Sequence, residues 1–485
     1  MCQGIRLNLG FEPRFAVTAC PFPVVFVRRW NLTVSRQPRR IILSRYNLPI
    51  VCLSTSRVAV KKTKNGTFVS NKEMREYDMH VLPNGIRVIH RQVAHTKIAH
   101  CGFMLDIGSR DESHENQGIA HFWEHMAFKG TKKRKAFHIL NRIDSVGGEL
   151  NAYTTKEKIT FYASVLEAHF EKAFELLADI TFSSIFPEKQ IERERNVILE
   201  EMAMYHDAPD DAIQDEFDTV VFGDHPLGMN ILGTAQSVRS FHREDFEQFM
   251  RDHINTERLV FCVVGNIPLK KVLRLADKYL KDVPRMDAGF ERSKFKDYSA
   301  RCQEVRRDLT QAHCAIGREA YALDDPKRIP FFMLTNILGG PGMNSRLNLA
   351  LREKHGFVYS IDAAYHPYTD TGLFAIFFGT EPSQLSRSIK MVKKELQMLK
   401  KKPLGTLQLH TAKEQIMGQL AMAEENNASL MLMMAKSILD LGRVDTLEAT
   451  FDKIKKITSH DLQQLANEMF IENELSELVY LPLKE

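Results

Sequence analysis

Alternating apolar and polar residues open the well-patterned part of the chain. The stretch MHVLPNGIRVIHRQV, residues 79–93, places two alternating runs on either side of Asn84 and Gly85. An Asn-Gly pair favours the tight turn of a β-hairpin, because both central residues of that turn adopt positive φ. The pattern therefore predicts two antiparallel strands at the start of a folded domain, and 98–107 predicts a third strand.

Helical periodicity begins after these strands. Residues 118–129 are apolar nearly all round, which indicates a buried helix. The further elements predicted in this part of the chain are a strand at 159–165, an amphipathic helix directly after it, a long helix at 188–206 and a strand at 259–264.

Periodicity disappears at residues 281–299, KDVPRMDAGFERSKFKDYS, which predicts a linker. The pattern then restarts, and FAIFFGTEPSQLSRSIKMVKKEL repeats the layout of FYASVLEAHFEKAFELLADI: a strand, a short polar break and an amphipathic helix. We therefore predict an α+β fold of two structurally similar domains, 74–280 and 300–485. Each is expected to be an antiparallel sheet with helices packed on one side.

Charge separates the first 73 residues from the rest. They hold 13 Lys and Arg against Glu12 and Glu73, whereas the remaining 53 basic and 59 acidic residues make the body slightly acidic. The body therefore gives no indication of a nucleic-acid surface. A hydrophobic content of 44% is sufficient for a large core.

Residues 1–73 lack sustained periodicity, and we interpret them as a disordered or mis-called extension, with Met74 as the true start. Their Arg-rich composition also fits a transit peptide to an organellar matrix, and Arg14 before an apolar run fits a secretory signal to the periplasm. The apolar run 15–27 contains two prolines and is too short to cross a membrane, so no integral membrane segment is predicted. Seven scattered cysteines without a CxxC motif favour a reducing compartment, and we expect a cytoplasmic protein.

The predicted buried helix contains the stretch HFWEH, residues 121–125. A spacing of four residues places His121 and His125 one above the other, close enough to share one metal ion, with Glu124 beside them. An apolar helix does not bury two imidazoles and a carboxylate at low cost unless they have partners. The stretch therefore predicts a metal site.

A catalytic zinc site needs a third protein ligand. In the helix at 188–206, Glu194 and Glu201 lie within the apolar stripe, whereas Glu200 points to the opposite side. Either of the two stripe carboxylates could complete the site, and helical geometry alone does not separate them.

Together these residues resemble the pitrilysin/insulinase family of zinc peptidases, the inverzincins, whose motif is HxxEH. The likeness runs through residues 77–480 and includes GGELNAYTTKEKITFYA, HPLGMNILG and RLNLALREKHGFVYSI. It is greatest for the single-chain, two-domain branch similar to processing peptidases. The resemblance implies Zn²⁺ as cofactor. It also implies His121, His125 and Glu201 as the metal ligands, Glu124 as the general base, and Glu194 as the carboxylate that orients a ligand histidine.

The resemblance also implies substrate-binding residues. Arg352 and Tyr359 of the second half would reach the substrate carbonyl or the developing oxyanion. Asn151, Ala152 and Thr154 match an edge strand that binds an extended peptide as an added strand. Phe128 is expected either to line a specificity pocket or to belong to the core.

The predicted function is that of a zinc metalloendopeptidase that hydrolyses peptides or unfolded polypeptide segments with Glu124 as general base. Both sets of implied catalytic residues occur on one chain, so we expect a self-sufficient homodimer, with a heterodimer with a related subunit as the second expectation. The alternative function is a non-catalytic core or interaction subunit of a larger complex.

Overall fold

The computed structural model describes residues 77–289 and 291–483. The predictions made for residues 1–73 lie outside this part of the chain. Among the described residues, no helix combines the length and the apolar character that crossing a lipid bilayer requires.

The first half alternates strands and helices around one sheet. Its elements are β1 Asp78–Val81, β2 Arg87–Gln92, β3 Ile98–Leu105, α1 Ile119–Met126, α2 Ala136–Asp144, β4 Glu149–Thr154, β5 Ile159–Leu166, α3 Phe170–Phe182, α4 Glu188–His206, α5 Pro209–Phe222, α6 Ala235–Ser240, α7 Arg243–His253, β6 Leu259–Gly265 and α8 Leu269–Leu280.

The second half follows a similar order. Its elements are β7 Cys302–Arg307, β8 Ala312–Ala320, α9 Arg328–Gly339, a π-helical segment Asn348–Glu353, β9 Val358–Pro367, β10 Gly372–Thr380, α10 Leu385–Lys401, α11 Thr406–Glu425, α12 Asn427–Leu441, α13 Leu447–Lys456, α14 Ser459–Met469 and β11 Ser476–Pro482.

The first sheet has the strand order β1-β2-β6-β3-β5-β4 and the second β7-β11-β8-β10-β9, and the two orders are equivalent once the edge strand β1 is set aside. The predicted hairpin is present, with β1 antiparallel to β2, but its loop is longer than the two-residue turn expected from Asn-Gly. Val81 pairs with Arg87, and of Asn84 and Gly85 only Gly85 has a positive φ, 93°. Each sheet contains one parallel pair, β2 with β6 and β7 with β11, and its other pairs are antiparallel. The predicted fold class is confirmed.

Helices cover one face of each sheet because their apolar sides match the inward side chains of the strands. In the first half, Phe261 of the sheet packs against Phe174 of α3, and Phe103 of the sheet packs against Phe182 of the same helix. Trp123 of α1 contacts Phe161 edge to face. Full burial of one such side chain stabilises the fold by about 1.5–3 kcal/mol. This packing fixes α1, the helix that carries the HFWEH stretch.

The opposite face of each sheet is covered by a helix from the other half. Met431 and Met434 of α12 pack on the first sheet against Met104 and Val260. In return, α5 of the first half packs on the second sheet, where Phe217 contacts Phe377 edge to face. The sequence analysis predicted helices on one side of each sheet only. The structure shows a further helix on the opposite side, contributed by the other half.

Ion pairs fix the segment between the two sheets. Arg292 binds Asp106 and Asp111 of the first half at 3.0 and 2.7 Å. Lys158 then joins Asp106 at 2.7 Å to Asp440 of α12 at 2.9 Å. Residues 281–299 contain no helix or strand within their described part. The ion pairs of Arg292 hold its side chain against the first half.

Candidate metal centre

Helix α1 begins at a glycine that no other residue could replace without strain. Gly118 has φ 89°, and a Cβ atom built on it would lie 2.4 Å from the carbonyl oxygen of Leu232. The carboxylate of Glu112 accepts hydrogen bonds from the backbone N–H groups of Gly118 and Ala120, both at 2.8 Å. These contacts satisfy N–H groups that the first turn of a helix leaves unpaired.

Two faces of α1 have different roles. Phe122, Trp123 and Met126 are fully buried in the first core. The other face carries His121, whose side chain is buried, and Glu124 and His125, which are partly buried. Because α1 packs against α4, this polar face meets the glutamates of α4.

Glu201 of α4 lies between the two histidines. Its Oε2 atom is 3.8 Å from Nε2 of His121 and 3.6 Å from Nε2 of His125. The two imidazole rings are 4.7 Å apart between centroids, and one donor atom from each of the three residues lies within 4.8 Å of the others. The three side chains therefore form one compact donor set.

This donor set fits a zinc ion. Tetrahedral zinc with ligand bonds of about 2.0–2.1 Å places its donor atoms roughly 3.3 Å apart, close to the observed separations. Burial lowers the pKa of His121 well below its usual value, so the imidazole is neutral, the form that binds metal. Two histidines and one glutamate are also a known ligand set of catalytic zinc sites, which leave a fourth position open.

Glu194 contacts His125 on the side away from Glu201. Its Oε2 atom lies 3.2 Å from Nδ1 of His125, and its Oε1 atom lies 2.6 Å from Nζ of Lys129. Burial alone would raise the pKa of Glu194, but the hydrogen bonds from His125 and Lys129 lower it below its usual value. An ionised Glu194 accepts a hydrogen bond from Nδ1–H of His125 and so directs Nε2 of that ring toward Glu201.

Glu124 is held by the end of strand β4. The hydroxyl group of Thr154 donates a hydrogen bond of 2.6 Å to Oε2 of Glu124. Burial raises the pKa of Glu124 to about 7, although the bond from Thr154 acts in the opposite direction. A carboxyl group with a pKa near the working pH can both accept and return a proton.

Strand β4 is the edge of the first sheet, where β5 is its neighbour. Asn151 and Ala152 lie half-buried along it, and Thr154 lies buried at its end. Phe128, just beyond α1, contacts the ring of Phe161 at 6.2 Å and packs against the first core. That contact favours the core interpretation for Phe128.

The structure places Arg352 and Tyr359 beside each other in the second half. Arg352 belongs to the π-helical segment, and its guanidinium lies 5.8 Å from the centroid of the Tyr359 ring, at the start of β9. Tyr359 is 85% exposed. Within residues 77–289 and 291–483, no hydrogen bond or ion pair joins either side chain to the histidine and glutamate cluster.

Two contacts of the site escaped the sequence analysis. Lys129, which neutralises Glu194, follows His125 by four residues, and that spacing continues the row of His121 and His125. The four-residue spacing of His121, His125 and Lys129 could therefore have been used to predict that Lys129 lies beside the site. The bond from Thr154 to Glu124 joins residues 30 positions apart, and no pattern in the sequence indicates it.

Comparison with known proteins gives two matches to family descriptions. Residues 87–235 match "Insulinase (Peptidase family M16)", and residues 240–416 match "Peptidase M16 inactive domain". The first match contains α1 and α4, and the second contains Arg352 and Tyr359.

Similar proteins occur in several bacteria. The uncharacterized zinc protease YmxG of Bacillus subtilis is 33% identical over 80% of this chain and 95% of its own length. An uncharacterized zinc protease of Rickettsia bellii is 32% identical over 83% of this chain and 97% of its own length. The relatives therefore extend across both halves.

Two solved structures share the fold. A protease from Helicobacter pylori superposes with a TM-score of 0.79 at 22% identity, covering 84% of this chain and 100% of its own. A structure described as the peptidase M16 inactive domain from Pseudomonas fluorescens gives 0.78 at 18% identity, over 84% and 98%.

Proposed function

Because this chain belongs to the insulinase family of peptidases, family M16, we propose that it is a zinc-dependent metalloendopeptidase. Its substrates are peptides or unfolded polypeptide segments. The observation that carries the proposal is the convergence of His121, His125 and Glu201, at 3.6 and 3.8 Å between donor atoms, next to the partly buried carboxyl group of Glu124. Those three side chains are the proposed ligands of Zn²⁺.

The side chains of the first half would carry the proton transfers. A bound Zn²⁺ would supply Lewis acidity, which polarises the scissile carbonyl group and makes water a stronger acid. Glu124 accepts a proton from the attacking water while the oxygen of that water forms a bond to the carbonyl carbon. When the C–N bond breaks, Glu124 returns that proton to the leaving amine. Thr154 keeps the carboxyl group of Glu124 in position, and Glu194 keeps the ring of His125 in position.

Substrate binding is proposed to use the open edge of β4. An extended peptide would add to this edge as a further strand, bonded through its backbone along Asn151 and Ala152. Recognition through the backbone selects extended and unfolded chains over a particular side chain. Arg352 and Tyr359 are proposed to contact the substrate carbonyl or the developing oxyanion once the peptide is bound. Phe128 contacts Phe161 of β5, the strand beside β4.

Replacement of the base tests the proposal. In the Glu124→Gln variant we expect wild-type zinc content and a loss of about 10²–10⁴-fold in cleavage of a quenched fluorescent peptide. Glu200→Gln is the matched control, because Glu200 is exposed on α4 beside Glu201, and it should cleave normally. Normal cleavage by Glu124→Gln would contradict the mechanism. Zinc binding without any cleavage by the wild type would favour a non-catalytic subunit.

Three further expectations accompany this function. We propose domain boundaries at 74–280 and 300–485, a homodimer in solution and a cytoplasmic location. Light scattering of the purified protein measures the oligomeric state, and a monomer or an obligatory partner subunit would contradict the proposed homodimer. Fractionation of the native source tests the third.

A further inference from the structure

The second half contains a cavity of about 130 Å³, partly open to solvent. It lies among helices α9, α11, α12 and α13, and strand β9 contributes its end. None of the histidines and glutamates of the metal centre lines it. Its walls are mainly apolar, and they include Ile329, Phe332, Met333, Leu420, Leu430 and Met433.

The cavity occupies the place that corresponds to the metal centre of the first half. In the order of elements, α9 follows β8 as α1 follows β3, and α11 follows α10 as α4 follows α3. The metal centre is built between α1 and α4, and the cavity between α9 and α11. Its lining contains no histidine or cysteine, so the second half offers an apolar site there and no counterpart of the metal ligands.

Among the described residues, one of the charged side chains that line the cavity has no ionic partner. Five charged side chains line the cavity, and four of them have ionic partners. Glu424 pairs with Arg91 at 2.7 Å, and Asp445 pairs with Arg443 at 3.0 Å. Asp440 pairs with Lys158 at 2.9 Å and also with Lys436, which lines the cavity itself. The fifth is Arg328, at the start of α9. Within the described residues its side chain forms no hydrogen bond or ion pair, although it is partly buried.

We propose that this cavity binds a small amphipathic monocarboxylate. The guanidinium of Arg328 matches a carboxylate in charge and in its paired N–H donors. The apolar walls would hold the tail. An apolar cavity of about 150 Å³ accommodates benzene, so the volume here suits a tail of about six carbons. The proposal rests on the cavity and on Arg328, and it is independent of the peptidase function.

One wall of the site belongs to the helix that bridges the two halves. Leu430 and Met433 of α12 line the cavity, and both also belong to the hydrophobic cluster in which Met431 and Met434 pack on the first sheet. Asp440 both lines the cavity and binds Lys158 of the first half. A bound carboxylate would therefore contact the same helix that holds the halves together.

Hexanoate titrated into the full chain labelled with ¹³C-methyl methionine tests the proposal. We expect saturable shifts of the methyl signals of Met333 and Met433, and no shift of Met204, which is exposed on α4 in the first half. Arg328→Gln should weaken hexanoate binding about 10- to 100-fold, the range for a lost hydrogen bond to a charged group. Lys327→Gln is the matched control, because Lys327 is adjacent but pairs with Glu468 outside the cavity.

Hexan-1-ol separates the charge from the apolar tail. It should bind the wild type more weakly than hexanoate does, and equally to wild type and Arg328→Gln. Ala423→Leu, which fills the cavity from α11, should abolish both. If Arg328→Gln does not fold, Arg328→Lys keeps the charge and should bind hexanoate more tightly than hexan-1-ol. Absence of saturable shifts, or equal binding of acid and alcohol by the wild type, would overturn the proposal.

Discussion

The two halves share one path of strands and helices, but the helices on equivalent sides carry different chemistry. Helix α1 presents His121, Glu124 and His125, whereas α9 at the equivalent place reads RIPFFMLTNILG and has no titratable side chain after Arg328. Helix α4 adds carboxylates to the first site, and α11 adds Ile416 and Leu420 to an apolar cavity. The comparison shows that the shared fold supplies a position between two helices, and that the side chains decide what the position does.

Burial has different consequences in the two places. The first half places imidazoles and carboxylates in a region shielded from water, which is costly unless a metal or opposite charges compensate. The second half places its own candidate catalytic pair, Arg352 and Tyr359, at the surface. Changes to the proposed metal ligands His121, His125 and Glu201 should therefore affect metal content and activity together, whereas changes to Arg352 and Tyr359 should affect activity alone.

Removal of a ligand should have the largest effect. Glu201→Gln keeps the shape of the side chain but removes the charged donor between the two histidines. Zinc affinity is expected to fall by more than the roughly 100-fold that loss of an outer partner costs, and peptide cleavage should fall with it. Titration with a competing chelator measures the affinity, and Glu200→Gln serves as control. Full zinc occupancy in Glu201→Gln would exclude it as a ligand.

The contact between the halves should respond to pH. Asp106 is partly buried, and burial alone would raise its pKa, but Lys158, Arg292 and Arg258 lower that pKa below the usual value. A lowered pKa contributes stability above the unfolded value of about 3.9, and this contribution is lost as the pH falls through the folded value. Asp106→Asn should cost about 3–5 kcal/mol in the free energy of unfolding at pH 7.

Urea unfolding at pH 7 and below pH 4 checks this expectation. The difference in free energy of unfolding between wild type and Asp106→Asn should narrow in acid, because the Asp106 carboxylate of the unfolded wild type is protonated first and that of the folded wild type only at still lower pH. Asp207→Asn is the control, because Asp207 is 85% exposed and should change stability by less than about 0.5 kcal/mol. An equal difference at both pH values would show that the charge of Asp106 is not what stabilises the fold.

Tyr359→Phe tests whether the exposed pair of the second half acts in catalysis. Loss of one donor to a developing oxyanion lowers kcat by about 10²–10³-fold. Because Tyr359 is 85% exposed, zinc content and the midpoint of unfolding should not change. An unchanged kcat would restrict catalysis to the first half.

Glu194→Gln should have the smallest of these effects. It weakens the acceptor for Nδ1 of His125 and the partner of Lys129, and such outer contacts contribute about 10- to 100-fold to metal affinity or activity. Glu192→Gln, exposed on the same helix, is the control. A loss as large as that of Glu201→Gln would assign Glu194 to the metal itself.

Local patterns predicted the fold class well because its elements depend on short-range signals. The turn at Asn84 and Gly85, the buried helix around HFWEH and the long helix of α4 were all readable from periodicity. The family resemblance is confirmed by the comparisons. The roles of the site residues stay predictions, although the structure brings His121, His125 and Glu201 together.

Contacts between segments that are distant along the chain could not be predicted from the sequence. An apolar helix such as α12 signals burial, but nothing in its sequence states that Met431 and Met434 pack on the sheet of the other half. The helical wheel placed Glu194 and Glu201 on one stripe, and their separate positions depend on the exact height of α1 against α4. The same holds for Thr154 and Glu124, which meet only after β4 is placed.

The exchange of α5 and α12 makes the two halves mutually dependent for their solubility. Either half produced alone would lack the helix that shields its sheet, and would expose a strip of Met104 and Val260 or of Phe377 and Leu478 to water. A gene cut at the linker would therefore yield two insoluble fragments. If both fragments were made in the same cell, each would supply the helix that covers the exposed sheet face of the other.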